Sequence, residues 1–301
     1  MKKNRTFFLV FIILFGLGIV LFLSFNKTNT PLTMSFAPIF QTVGNTTKNL
    51  STITGKILPV DELDEKTFGR YLRKYFLYYS GEKNTAEKEY VNKLFENLRP
   101  FVKKPFDYEV FIFNSNLPNA FALPGGTIFI SSGLLKDMSS ESEIVAIMAH
   151  ELGHIEQGHC FNSIKYLLLG KKFNAEIIGR IIQTASTVLL KHSYSKTQED
   201  EADEYAFKLL TSTKYDPEAL SDSFKLLMRA YQKSRHNIKS DIIRDYFSSH
   251  PPLELRIEEF KGKADAWWKR NIGDKRYIGK RNLRELLPVQ EREYNTEWRD
   301  H

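Results

Sequence analysis

The pentapeptide His150-Glu151-Leu152-Gly153-His154 limits what this chain can fold into more than any other stretch. Residues four apart lie on one face of an α-helix, one turn from each other, so both imidazoles reach one ion only if the segment is helical. The flanking residues agree. Ser140 with Glu143 reads as a capping box, and Ile144, Val145, Ile147 and Met148 give an apolar side that leads into the pentapeptide. A zinc ion held by His150 and His154 would lower the pKa of a bound water to about 7, and Glu151, next to the first histidine, is placed to take that water's proton as general base.

A catalytic zinc needs a third protein ligand. Gln157 and Cys160 stand where a metzincin has its glycine and histidine, which excludes that completion. His159 would lie about 140° round a continued helix from His154 and is expected to be a structural or surface histidine facing away from the metal. Farther along, Glu199-Asp200-Glu201-Ala202-Asp203 opens another helix, on which Glu199 and Asp203 share a face. One of the two carboxylates could bind zinc while the other accepts a hydrogen bond from a ligand imidazole. Acidic residues also suit the first turn of any helix, where they meet the positive end of its dipole.

The N-terminus sets the expected location. Lys2, Lys3 and Arg5 precede an uncharged apolar run over 6–25, about 30 Å long as a helix and so enough to span a bilayer. Cationic residues before the run leave residues 1–5 in the cytoplasm and the rest of the chain on the periplasmic or extracytoplasmic side of the inner membrane. The alternative is secretion after cleavage near Ser35-Phe36-Ala37, although that site lies well beyond the run and Pro38 follows it. The stretch 26–60, rich in Thr, Asn and Ser, reads as a tether. Cys160 is the single cysteine, which excludes a disulfide within the chain and argues against a cysteine metal site. The formal charge of +7 is spread along the chain without interleaved aromatics, so nucleic acid is not an expected partner. Part of the excess falls after Phe260, where a solvated basic tail is expected.

From Asp61 the apolar spacing is helical, as in Phe68, Tyr71, Leu72, Tyr75 and Phe76. Tyr108 to Asn114 alternates like a strand, and Pro124-Gly125-Gly126 reads as a turn between Ala120-Phe121-Ala122-Leu123 and Thr127-Ile128-Phe129-Ile130. Everything after Ser140 reads as helix, with breaks near Gly170, Ser212 and His250. The fold class is therefore α+β: a mostly helical body with a small antiparallel sheet at the active-site cleft, preceded by one transmembrane helix. The stretch Ile177 to Leu190 is too interrupted for a span and fits a core helix or an amphipathic helix facing the membrane.

Three segments in order, Asn119 to Gly126, His150 to His154 and Glu199 to Asp203, resemble the HtpX/BepA-type gluzincin metalloendopeptidases, which are related to the CAAX prenyl endopeptidases and the mitochondrial Oma-type peptidases. The resemblance runs from about residue 61 to 260, which would be a zincin-like metallopeptidase domain, with 261–301 as a polar basic extension. It implies Glu199 as third zinc ligand and Asp203 as the carboxylate supporting a ligand histidine. It also implies that Ala120, Phe121, Ala122, Leu123, Pro124, Gly125 and Gly126 offer an edge on which an extended polypeptide substrate pairs as an added strand. In Ser249-His250-Pro251-Pro252-Leu253-Glu254-Leu255-Arg256-Ile257, it makes His250 either an oxyanion stabiliser or a fourth, inhibitory ligand, where the residues alone suggest a turn histidine before prolines.

The chain departs from the multi-span members in having one clear span, and its tail lacks the repeat of a TPR domain. The implied activity is zinc-dependent cleavage of extended or misfolded envelope and membrane proteins. The alternatives are a non-catalytic, zinc-stabilised chaperone-like module and, less well supported, a prenyl-processing enzyme.

Overall fold

Helical spacing of large apolar residues decides which faces pack. The computed structural model describes residues 62–80, 85–168, 175–191, 194–234, 250 and 253–300. All belong to the second of two units of the chain, Leu50–His301. Helix α1 (Glu62–Ser80) buries Phe68, Leu72 and Phe76. Helix α2 (Ala86–Phe95) starts at Thr85, whose hydroxyl accepts from Lys88 N, and buries Tyr90, Val91, Leu94 and Phe95. Three short strands follow, β1 (Glu109–Phe113), β2 (Ala120–Leu123) and β3 (Thr127–Ser131). Then come α3 (Ser132–Asp137), α4 (Glu141–Glu156), α5 (His159–Ile164), α6 (Ala175–Lys191), α7 (Lys196–Ser212), α8 (Ala219–Ser234) and α9 (Leu253–Arg270). A second strand pair, β4 (Lys275–Tyr277) and β5 (Trp298–Asp300), brackets α10 (Lys280–Glu285). Among the described residues no helix is long and apolar enough to cross a membrane. The expected anchor at 6–25 and tether at 26–60 lie outside them.

The α+β class is observed, but the sheet is mixed rather than antiparallel. Its order is β1-β3-β2, with β2 antiparallel to β3 and β1 parallel to β3. Pro124-Gly125-Gly126 turns β2 back onto β3 as expected. Residues 114–119, however, are too long for a tight turn, and β1 lies on the far side of β3 rather than beside β2. Central β3 is buried at every position, so it shows none of the alternation that would betray its neighbours. Phe129 in β3 stacks on Phe121 (centroids 5.1 Å apart) and on Phe111 (5.4 Å), and Phe76 of α1 closes over Phe121 and Phe129 at 5.3 and 5.7 Å. Each such pair adds roughly 0.5–1.5 kcal/mol beyond its buried area.

Helix α4 is the centre of the domain. Every residue from Glu141 to Ile155 is buried, and the helix packs on β2, β3, α7 and α8. It meets α7 at Gly153, where a Cβ would sit 3.0 Å from Ala202 Cα, so any larger residue would require the α7 backbone to give by a few tenths of an ångström. Helix α6 is half-buried: Ile181, Ile182, Ala185 and Leu189 face inward against α1 and α5, while Gln183, Thr184 and Thr187 face out.

The segment expected to be a solvated tail is part of this body. Helix α9 runs unbroken across 260–261. Beyond it Tyr277, Leu283, Val289 and Tyr294 are buried. Its basic side chains gave the segment its polar look, but one large apolar residue every few positions is enough to seat it. The backbone carbonyls of Gly279 and Ile278 accept from Glu141 N (3.1 Å) and Ser142 N (3.0 Å), satisfying amides at the start of α4 that the helix itself cannot. Ser140 caps the same end through Glu143 N (3.3 Å). Glu143 accepts from Ser139 N rather than from the cap residue, so the box is displaced by one residue.

Candidate metal centre

His150 and His154 project from α4 into a fully buried site. Helix α7 faces them. It is opened by a true capping box between Ser195 and Gln198, which puts Glu199 in the first turn and Asp203 one turn later. His250, just before α9, completes the group. One donor atom from each of His150, His154, Glu199 and His250 lies within 4.8 Å of all the others. His154 Nε2 is 3.2 Å from His150 Nε2, which is 3.5 Å from His250 Nδ1. Glu199 Oε1 is 2.8 Å from His250 Nδ1 and 3.4 Å from His154 Nε2. Nitrogen lone pairs this close repel unless a proton or cation lies among them. A buried set of imidazoles and one carboxylate suits zinc in donor type and number. Glu151 Oε1 is also buried and has no hydrogen-bond partner among the described residues. These residues fit a metal ion.

The carboxylates are held ionised. Burial alone would raise the Glu199 carboxyl, but His250 and Arg256, with hydrogen bonds from His154 and His250, hold it well below the usual range. Asp203 is likewise lowered against burial, by Arg256 and His150. Arg256 from α9 donates to both Asp203 oxygens, at 2.6 and 2.7 Å, and its third nitrogen lies 2.9 Å from Glu199 Oε2. Its guanidinium rests 4.2 Å from the Phe224 ring centre. Asp203 Oδ1 lies 2.8 Å from His150 Nδ1, which turns the other nitrogen, Nε2, toward the cluster. Burial raises the Glu151 carboxyl above its usual range, and a more basic carboxylate is a better proton acceptor.

The structure thus brings together His150, His154, Glu199 and His250, with Asp203 behind His150. Strand β2 is one of the two outer strands of its sheet and packs against α4, while Pro124, Gly125 and Gly126 form the turn after it. His159 is outside the donor set, as expected of a structural histidine, but its placement differs from expectation. It does not face away: it is buried, with Nδ1 3.0 Å from His154 Nδ1. The helical projection fails because α4 ends at Glu156 and Gly158, at φ +74°, turns the chain into α5. That glycine in a helix-terminating position was the available signal. Tyr194, whose ring stacks 4.0 Å from that of His154, Glu201 and Arg256 were missed as well. Arg256 lies six residues beyond His250 in the segment already singled out, but nothing local to it points to Asp203.

The model of "Peptidase family M48" matches residues 85–264. Among curated proteins, the chain is 29% identical over 153 residues to the mitochondrial metalloendopeptidase OMA1 of Arabidopsis thaliana, covering 50% of this chain and 30% of that protein. It is 27% identical over 173 residues to metalloprotease LoiP of Escherichia coli, covering 54% and 64%. It is 25% identical over 256 residues to the beta-barrel assembly-enhancing protease of the same organism, covering 76% and 49%. The chain thus spans roughly a third to two-thirds of these relatives. The family match takes in more than half of the 301 residues and all four members of the cluster. This chain belongs to peptidase family M48.

Proposed function

We propose that this protein is a zinc-dependent metalloendopeptidase that cleaves extended or misfolded envelope and membrane proteins. The observation that carries the reading is the buried convergence of His150, His154 and Glu199 beside a Glu151 oxygen without a hydrogen-bond partner among the described residues. Relatives named as a mitochondrial metalloendopeptidase and a beta-barrel assembly-enhancing protease support it. His150, His154 and Glu199 would hold the ion, with Asp203 orienting His150. When bound, zinc supplies a Lewis acid that polarises a carbonyl and lowers the pKa of water to about 7.

The remaining chemistry falls to the chain. Glu151 Oε1 accepts the proton of the attacking water as its oxygen bonds to the carbonyl carbon, and passes it to the amide nitrogen as the C–N bond breaks. Arg256 keeps Glu199 and Asp203 charged. The outer edge of β2 offers backbone groups on which an extended polypeptide can add as a strand, which would favour unfolded segments over folded ones. The basic residues before 6–25 support a single-pass anchor in the inner membrane with the domain on its extracytoplasmic side.

Glu151→Gln tests the mechanism. Cleavage of an unfolded substrate should fall at least about 100-fold, the scale of a lost general base, with zinc content unchanged. Undiminished cleavage would sink it.

A further inference from the structure

The two α4 histidines are held from behind by different chemistry. His150 leans on Asp203, itself buried and clamped by Arg256. Behind His154 stands another imidazole. His154 Nδ1 is 3.0 Å from His159 Nδ1, and His159 Nε2 is 3.0 Å from Glu201 Oε2. We propose that Glu201 and His159 are a positioning pair that fixes the tautomer and orientation of His154, so that its Nε2 lone pair points at the metal. The proposal rests on the reading of the cluster as a metal centre.

Proton counting sets the direction. The Glu201 carboxylate is 47% exposed and in contact with solvent, so it is an acceptor, and His159 Nε2 must carry the proton between them. A buried neutral His159 then has a bare Nδ1. Only one proton fits between the two Nδ1 atoms, and it belongs to His154. That leaves His154 Nε2 unprotonated, on the side of His150 and Glu199. The fold supports the arrangement twice. Gly158 turns the chain so that α5 presents His159 to the back of His154. Tyr194 stacks on the flat face of His154, with the rings at 20°, and stops it from rotating. One ligand is thus held by a buried ion pair, and the other by a neutral relay that ends at the surface.

Zinc affinity, measured on the full chain in detergent by competition with a chelator, tests this without reference to activity. His159→Phe keeps the ring but removes the acceptor. It should weaken zinc binding by about 10–100-fold, as losses of such supporting partners do. His159→Asn puts an oxygen where Nδ1 stood and should restore binding to within a few fold of wild type. Histidine-selective 15N NMR of the metal-free protein should show His154 as a single Nδ1–H tautomer in wild type and a mixture in His159→Phe.

Equal affinity in wild type and His159→Phe would overturn the pairing while leaving the metal centre standing. Equal losses in Phe and Asn variants would overturn it in favour of packing. If wild type itself bound no zinc, both the metal centre and the pairing would fall. Should His159→Phe not fold, Glu201→Ala, at a half-exposed position, carries the test: a few-fold loss supports the pair and no loss overturns it.

Discussion

Four protein donors around one point form a closed set, whereas a working zinc site keeps one position open for water. In the cluster, His250 is the donor that comes from neither α4 nor α7. It is the natural group to withdraw. His250→Ala is therefore expected to raise cleavage of an unfolded protein several-fold under saturating zinc. A slower variant would instead assign His250 to stabilising the transition state. How much of this was legible depends on distance along the chain. Glu199 and Asp203, like the pentapeptide, are i,i+4 pairs whose geometry is fixed by one helix, so spacing alone paired them. Arg256 and His159 reach their partners through tertiary contacts or a helix break, which no periodicity encodes.

At the scale of elements, helices announced themselves and strand order did not. Apolar spacing placed α1, α2, α4 and α7 because each buries a definite stripe or is buried all round. The parallel pairing of β1 with β3 depends on where a loop crosses, which strand residues do not record. The C-terminal segment was misread because net charge hides a sparse apolar set. Its seat holds an unusual acid. Glu141, the first residue of α4, is buried and accepts from Tyr90 Oη (3.0 Å), Tyr215 Oη (2.9 Å) and Val289 N (3.2 Å), yet burial still pushes it up to about 7. A raised carboxyl favours the protonated folded form, so its stabilising effect is complete below about pH 4.5 and is lost as pH rises through about 7. Between pH 5 and 8 the wild type should lose up to about 3 kcal/mol of unfolding free energy relative to Glu141→Gln, from a shift worth about 1.4 kcal/mol per unit. Chemical denaturation of both proteins across that range measures it, and parallel pH curves would count against it.

For the molecule as a whole, the cluster ties together α4, α7 and the approach to α9, segments that are distant in sequence. An ion bound only by the folded state stabilises by mass action, about 2.7 kcal/mol at one hundred times its Kd. For a domain of this size that corresponds to a rise in Tm of about 5–10 °C. Stripping metal with a chelator and restoring zinc should move the melting temperature by that amount. An unmoved transition would mean that the four donors hold no ion.

The strap of Ile278 and Gly279 over the start of α4 has a further consequence, for synthesis. All four donors emerge from the ribosome before residue 251, but the carbonyls that satisfy the first amides of their central helix come later. Until then α4 has exposed amides at one end and no lid over Glu141. A chain cut short after α9 would carry every residue the chemistry needs and still lack the support that holds the helix in place. Maturation of the site is therefore set to follow synthesis of residues 278 and 279, so that the metal centre is the last part of the domain to be assembled.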